Sequence, residues 1–147
     1  RLGITEEMAS LISSLSGGSL GMALNWDIEA LLEQREKIIE TLSIVYKKDM
    51  EGLFKAAEEL SKGERLIESL EFLKMWYRDI VVFKEGREDM IINSDLMPIL
   101  RQHVQMQTLS KLMFNYKMIH QAQLDIMPPR YANKQMTIEN LLMQIAK

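Results

Sequence analysis

The sequence predicts an all-α fold: a helical bundle preceded by a short helical segment. Three observations carry this. Apolar residues recur at three- and four-residue spacing along nearly the whole chain. Glycine and proline number only 7 and 3 in 147 residues, and they stand between the apolar stretches rather than inside them. Val81-Val82-Phe83 favours β structure but is too short and too embedded in helical spacing to form a strand.

Taken in order, Met8, Leu11, Ile12 and Leu15 share a helix face, with Thr5 as N-cap and Glu6 and Glu7 at the positive end. Ser16-Gly17-Gly18-Ser19 ends that helix, and Ser19 can cap a short second one from Leu20 to Asn25. A long helix follows from Asp27, with Ile28, Leu31, Leu32, Ile39, Leu42 and Val45 as its stripe and Lys47-Lys48 at its end. Asp49 caps the next, which carries Met50, Leu53, Phe54, Ala57 and Leu60 and closes at Lys62-Gly63. The stretch from Glu64 to Lys84 is the most apolar. Leu66, Leu70, Leu73, Tyr77 and Ile80 form one stripe, and Phe72, Trp76 and Phe83 widen it, so this helix should be central. Gly86 to Ser94 reads as a loop. Asp95 is the expected cap of a helix with Pro98 in its first turn, lined by Leu96, Leu100 and Val104. Thr108 caps another, with Leu109, Leu112, Met113, Tyr116, Ile119 and Leu124 as its stripe, and Pro128-Pro129 stops it. A last helix carries Ile138, Leu141, Leu142 and Ile145, with Thr137 near its start.

At 47% hydrophobic residues the chain can bury a core of useful size. The absence of cysteine excludes disulfides and thiolate metal sites and fits a reducing, cytoplasmic setting. No apolar run approaches the roughly 18–20 residues that span a bilayer, so no membrane partner is expected. The start at Arg1-Leu2-Gly3-Ile4 reads as a cut inside a longer protein. The net charge is −3 but uneven. Residues 1–95 carry 12 basic and 19 acidic residues, a net of −7, and residues 96–147 carry 6 and 2, a net of +4. Unlike charges at the two ends can orient subunits; differing solvated faces explain the bias equally well.

The residues offer no chemistry. Gly17-Gly18-Ser19-Leu20-Gly21 lacks the lysine of a phosphate loop and follows no strand pattern. His103 and His120 fall on different helices with no carboxylates at ligand spacing, so no metal is expected. No serine sits in a nucleophile elbow. An enzyme is therefore not expected, nor is a cofactor. Twelve methionines could mark an adaptable binding surface. Met8, Met50 and Met113 fall on apolar stripes, which favours core filling instead. Trp26, Trp76 and Tyr77 are candidate interface anchors, although Trp76 and Tyr77 share a helix with many large apolar residues and so read first as core. The adjacent Arg78-Asp79 lies on the most apolar helix, where charge needs partners, and these are expected from the Asn133–Asn140 segment.

Three motifs carry a resemblance. Leu15-Ser16-Gly17-Gly18-Ser19-Leu20-Gly21-Met22-Ala23-Leu24 resembles the end of the helical lid of clamp-loader AAA+ ATPases, in which a G-S-x-x-x-A-L run opens a lid helix. Hydrolysing members of that family place an arginine there to reach the nucleotide; the matching position here is Gly21, as in the family's non-hydrolysing delta-prime branch. Trp76-Tyr77-Arg78-Asp79-Ile80 is similar to a W-x-R-D core element of the family's C-terminal domain. The segment from Tyr131 to Leu142 is similar to its closing N-x-x-L-x-x-E-x-L-L pattern through Asn133, Glu139, Leu141 and Leu142, with Met136 in place of the leucine and Asn140 beside the glutamate. The resemblance implies a lid remnant over residues 1–26 and a helical collar over residues 27–147. It implies a stator role in a bacterial DNA polymerase III pentamer, with gamma/tau and delta subunits as direct partners and the sliding clamp and DNA reached only through the complex. A gamma/tau-type collar, a helical adaptor unrelated to replication and a helical ligand-binding domain remain alternatives.

Overall fold

The computed structural model describes residues 28–147. Expectations that fall on residues 1–27, namely the first two helices, Gly21, Trp26 and the junction at residue 26, lie outside the described residues. The described residues form six α-helices and no strand: α1 Ile28–Tyr46, α2 Met50–Lys62, α3 Leu66–Lys84, α4 Met97–Val104, α5 Leu109–Ile126 and α6 Lys134–Ala146. The all-α expectation holds.

The helix ends follow local chemistry. Asp49 accepts the amide of Gly52, Thr108 that of Lys111 and Asn133 that of Met136, so each supplies the oxygen that the first turn lacks. At the end of α3, Gly86 takes φ 78, and the Arg87 amide returns to the Val82 carbonyl at 3.1 Å. This is a left-handed terminator that glycine adopts without penalty. Lys48 takes the same conformation after α1, at φ 58, without glycine's freedom.

One expected cap is different. α4 begins at Met97, and Asp95 sits in a preceding 3-10 turn, Ser94–Leu96. The Asp95 carboxylate is engaged by Arg35 of α1 through two parallel bonds, 3.0 and 2.6 Å. A bidentate guanidinium is a stronger partner than a single backbone amide, so tertiary pairing wins over capping.

α3 is the hub and packs against α1, α2, α4 and α5, while α6 closes the bundle against α1, α2 and α5. Trp76, Tyr77, Leu70 and Ile80 of α3 are essentially inaccessible, as are Leu42, Leu53, Leu100, Leu112, Ile119 and Ile138 from its neighbours. Phe83, by contrast, is only half-buried at the core's edge. Trp76 donates its indole N–H to His103 Nδ1 at 2.9 Å, which satisfies both groups inside the core.

Burial lowers the His103 pKa from 6.5 to about 4. Between those values the unfolded chain binds a proton that the folded chain refuses, so stability is complete above pH 6.5 and declines as pH falls toward 4. On the order of 2 kcal/mol should be lost across that window beyond what a His103→Gln variant loses. Urea midpoints at pH 7 and pH 4 measure it, and parallel profiles for the two proteins would refute the assignment.

Candidate interface

α5 carries two apolar stripes, and only one is used by the fold. Leu112, Asn115, Ile119, Ala122, Gln123 and Ile126 point inward and are buried. Leu109, Met113, Tyr116, His120 and Leu124, continued by Met127, recur at steps of three and four, and fall within an arc of about 80° at 100° per residue. The apolar members of this second stripe are each 41% to 51% exposed.

Buried polar side chains fix which stripe faces out. Near the N-terminal end of α5, Asn115 donates to Gln107 Oε1 at 2.9 Å, and Gln107 in turn donates to the carbonyl of Ile145 on α6 at 3.1 Å. The Tyr46 hydroxyl bonds that of Tyr77 at 2.8 Å and reaches Gln107 Oε1 at 3.5 Å. Both phenols are pushed up by burial, Tyr46 to about 12 and Tyr77 well above the usual range, so both stay neutral donors. Near the other end, Gln123 reaches the Ile67 carbonyl and Glu71 of α3 at 3.3 and 3.2 Å. Rotating α5 to bury the outer stripe would strip both sets of bonds, each group costing about 1–3 kcal/mol when left unpaired.

One exposed lysine, Lys117, flanks the stripe, and the lysine on its α3 side, Lys74, is paired with Glu71 at 3.3 Å. Lys74 Nζ also lies 3.3 Å from His120 Nδ1. Around the corner Lys111 lies 5.1 Å over the Phe114 ring and reaches the Gln144 carbonyl. Burial and the nearby Lys147 lower the Lys111 pKa. With Lys48 and Lys147 it lines an open groove of about 480 Å³ at this end of the bundle. The one acidic residue of α5, Asp125, is held by Arg130 at 2.8 Å and Gln121 at 2.9 Å.

Several sequence expectations need correction here. Leu109, Met113, Tyr116 and Leu124 were expected in the core stripe of α5, but they form the outer one, because the helix is apolar over more than the arc that its neighbours cover. Met50 and Phe54 of α2, also expected in the core, are 43% and 40% exposed; Leu53, Ala56 and Ala57 supply the buried face instead. Core filling is therefore not the main use of methionine. Of the described methionines, Met75 is buried, whereas Met50, Met90, Met106, Met113, Met127, Met136 and Met143 are exposed. Ile38, absent from the expected stripe of α1, is 2% exposed and part of the core.

The candidate site residues scatter. Trp76 and Tyr77 are 0% exposed, so they offer nothing to a partner. Asp79 is fully buried, but its partners are not on α6: it accepts from the amides of Ile92 and Asn93, the Asn93 side chain and Arg78. The segment after α3 folds back over its own helix end and reaches Asp79 before α6 can. Asn133 caps α6, Glu139 accepts from Gln135 at 3.1 Å, and Asn140 is exposed on the same helix. The outer α5 stripe was legible as apolar spacing; nothing in the spacing distinguished a surface stripe from a core one.

A family model described as "DNA polymerase III, delta subunit, C terminal" matches residues 29–147. The chain belongs to this family. It is thereby a clamp-loader subunit domain, and the match reaches all six helices described above, omitting only Ile28. No curated protein and no solved structure matches the chain. Among the described residues no three His, Cys, Asp or Glu side chains converge on a point that could hold a metal ion, and no helix is long and apolar enough to cross a membrane.

Proposed function

We propose that residues 27–147 are the oligomerisation collar of a stator subunit of the delta-prime branch, working in the cytoplasm within the pentamer that loads the sliding clamp on primed DNA. The outer stripe of α5 is the observation that carries the assembly role. An apolar face of five turns, held outward by buried bonds, has no use in an isolated chain, and monomers rarely expose patches larger than a few hundred Å². The delta-prime placement is supported by Gly21 at the lid-like position where hydrolysing relatives carry arginine, with residues 1–26 read as the end of that lid. Gamma/tau and delta subunits are the direct partners in this reading, and the clamp and DNA are met only through the complex. The described helices contribute no nucleotide chemistry to it, and the domain acts by holding neighbours.

Deleting residues 27–147 from the full-length protein should abolish its co-purification with the other clamp-loader subunits and leave any upstream modules folded. Entry of the deleted form into the complex at wild-type yield would refute the collar role.

A further inference from the structure

Resting on that reading, we infer that the outer stripe of α5 docks an amphipathic helix of a different subunit, one whose apolar stripe is flanked by aspartate and glutamate. Geometry sets the first half of this description. Leu109, Met113, Tyr116 and Leu124, with His120 between the last two, form a straight, mainly apolar track along a helix of 18 residues, about 27 Å at 1.5 Å per residue. Such a track is matched by a partner helix with anchors at i, i+3 or i+4, and i+7. Met113 and Met127, unbranched and flexible, adapt to side chains of differing shape. Tyr116 gives a large apolar contact with a hydroxyl that can stay at the rim.

Charge sets the second half. Lys117 stands exposed at the edge of the track, whereas Lys74, which approaches His120 from α3, is already paired with Glu71 at 3.3 Å, and Lys111 lies on the far side of the helix, bonded to the Gln144 carbonyl. Asp125 is already engaged by Arg130 and Gln121, so no free carboxylate of α5 answers Lys117. Carboxylates on the partner's flank facing Lys117 would do so, and would speed encounter more than they tighten the complex.

The same facts disfavour two other occupants. A second copy packed antiparallel about the middle of the stripe sets Lys117 against its own symmetry mate, because residue 118 is the midpoint between 109 and 127. Nucleic acid is bound chiefly through phosphate contacts from many Lys and Arg, whereas this track is apolar with a single lysine at its edge.

The test uses the full-length protein in the reconstituted clamp loader. A photo-crosslinking amino acid replaces Met113 in one variant and Leu124 in another, and the joined peptides are identified by mass spectrometry. The expected result is capture, from both positions, of one helix of another subunit whose apolar residues are flanked by Asp or Glu. Capture of a second copy of this chain, of DNA, of this chain's own upstream residues, or of a neutral or basic segment would each overturn the inference. In parallel, Lys117→Glu should slow association about tenfold at low salt, with the difference closing at high salt. Association at the wild-type rate in low salt would also overturn it. The two readings fail separately. If deleting residues 27–147 prevents assembly but the crosslinks fall elsewhere, the collar role stands and this partner is wrong. If the deletion is harmless, both are wrong.

Discussion

Asp79→Ala should destabilise the domain by about 3 kcal/mol, in the range found when one partner of a buried charged network is removed. Asp79 is 0% exposed, and its two oxygens take four bonds. Oδ2 accepts the Asn93 amide and the Asn93 side-chain nitrogen, both at 2.8 Å; Oδ1 accepts the Ile92 amide at 3.0 Å and Arg78 at 3.1 Å. Alanine leaves the Asn93 donors and the Ile92 amide in an interior where each unpaired group costs about 1–3 kcal/mol. Arg78 contributes little to the loss, because its side chain is 37% exposed and recovers water. The damage should spread along the chain, since Asn93 also lies 3.5 Å from Arg35, which holds Asp95. Thermal melts against Glu58→Ala, which removes only the exposed Glu58–Lys62 pair, provide the comparison. A loss no greater than the control's would mean that residues 91–95 are held in place without Asp79.

Trp76→Ala should cost more, about 4 kcal/mol, from lost burial and the cavity left behind. The side chain is wholly enclosed, its ring lies 6.3 Å from that of Phe72, and its N–H supplies the bond to buried His103. Trp76→Phe keeps much of the volume but removes the donor, so it should lose less than alanine and more than a conservative core change. Against a total stability of roughly 5–15 kcal/mol, the alanine variant should be largely unfolded at physiological temperature if the domain lies at the lower end of that range. Near-UV circular dichroism and urea titration report both losses, and equal stability of the phenylalanine variant and the wild type would show that the indole–imidazole bond contributes nothing net.

Much of this fold could be read from the sequence because helix ends are local chemistry. Asp49 and Thr108 cap the helices that their spacing predicts, and Gly63 and Pro128-Pro129 close helices where expected. The central place of α3 follows from its apolar breadth, which no single neighbour can cover. What could not be read depends on tertiary competition. Asp95 has the composition of a cap, but Arg35 sits 60 positions earlier in the chain, and only folding brings the two together. Asp79 needed partners, and they came from 13 and 14 residues away rather than from α6. On α5, spacing alone could not say which apolar arc faces the core. Asn115 and Gln123 settle it, two polar residues whose inward direction contradicts a simple apolar-in pattern. The candidate interface was therefore visible as hydrophobicity and hidden as surface.

The position of α6 has a consequence for biosynthesis. It is the last of the six helices to be translated, yet it packs against α1 and α2 near the start of the described chain. Until Ile138, Leu141, Leu142 and Ile145 leave the ribosome, the faces of α1 and α2 that they cover stand open to water. The nascent chain thus presents two unsatisfied surfaces, one that its own α6 will close and the outer face of α5 that it will not. A chaperone that shields the first can be released when translation reaches α6, whereas protection of the second has to last until a neighbouring subunit arrives.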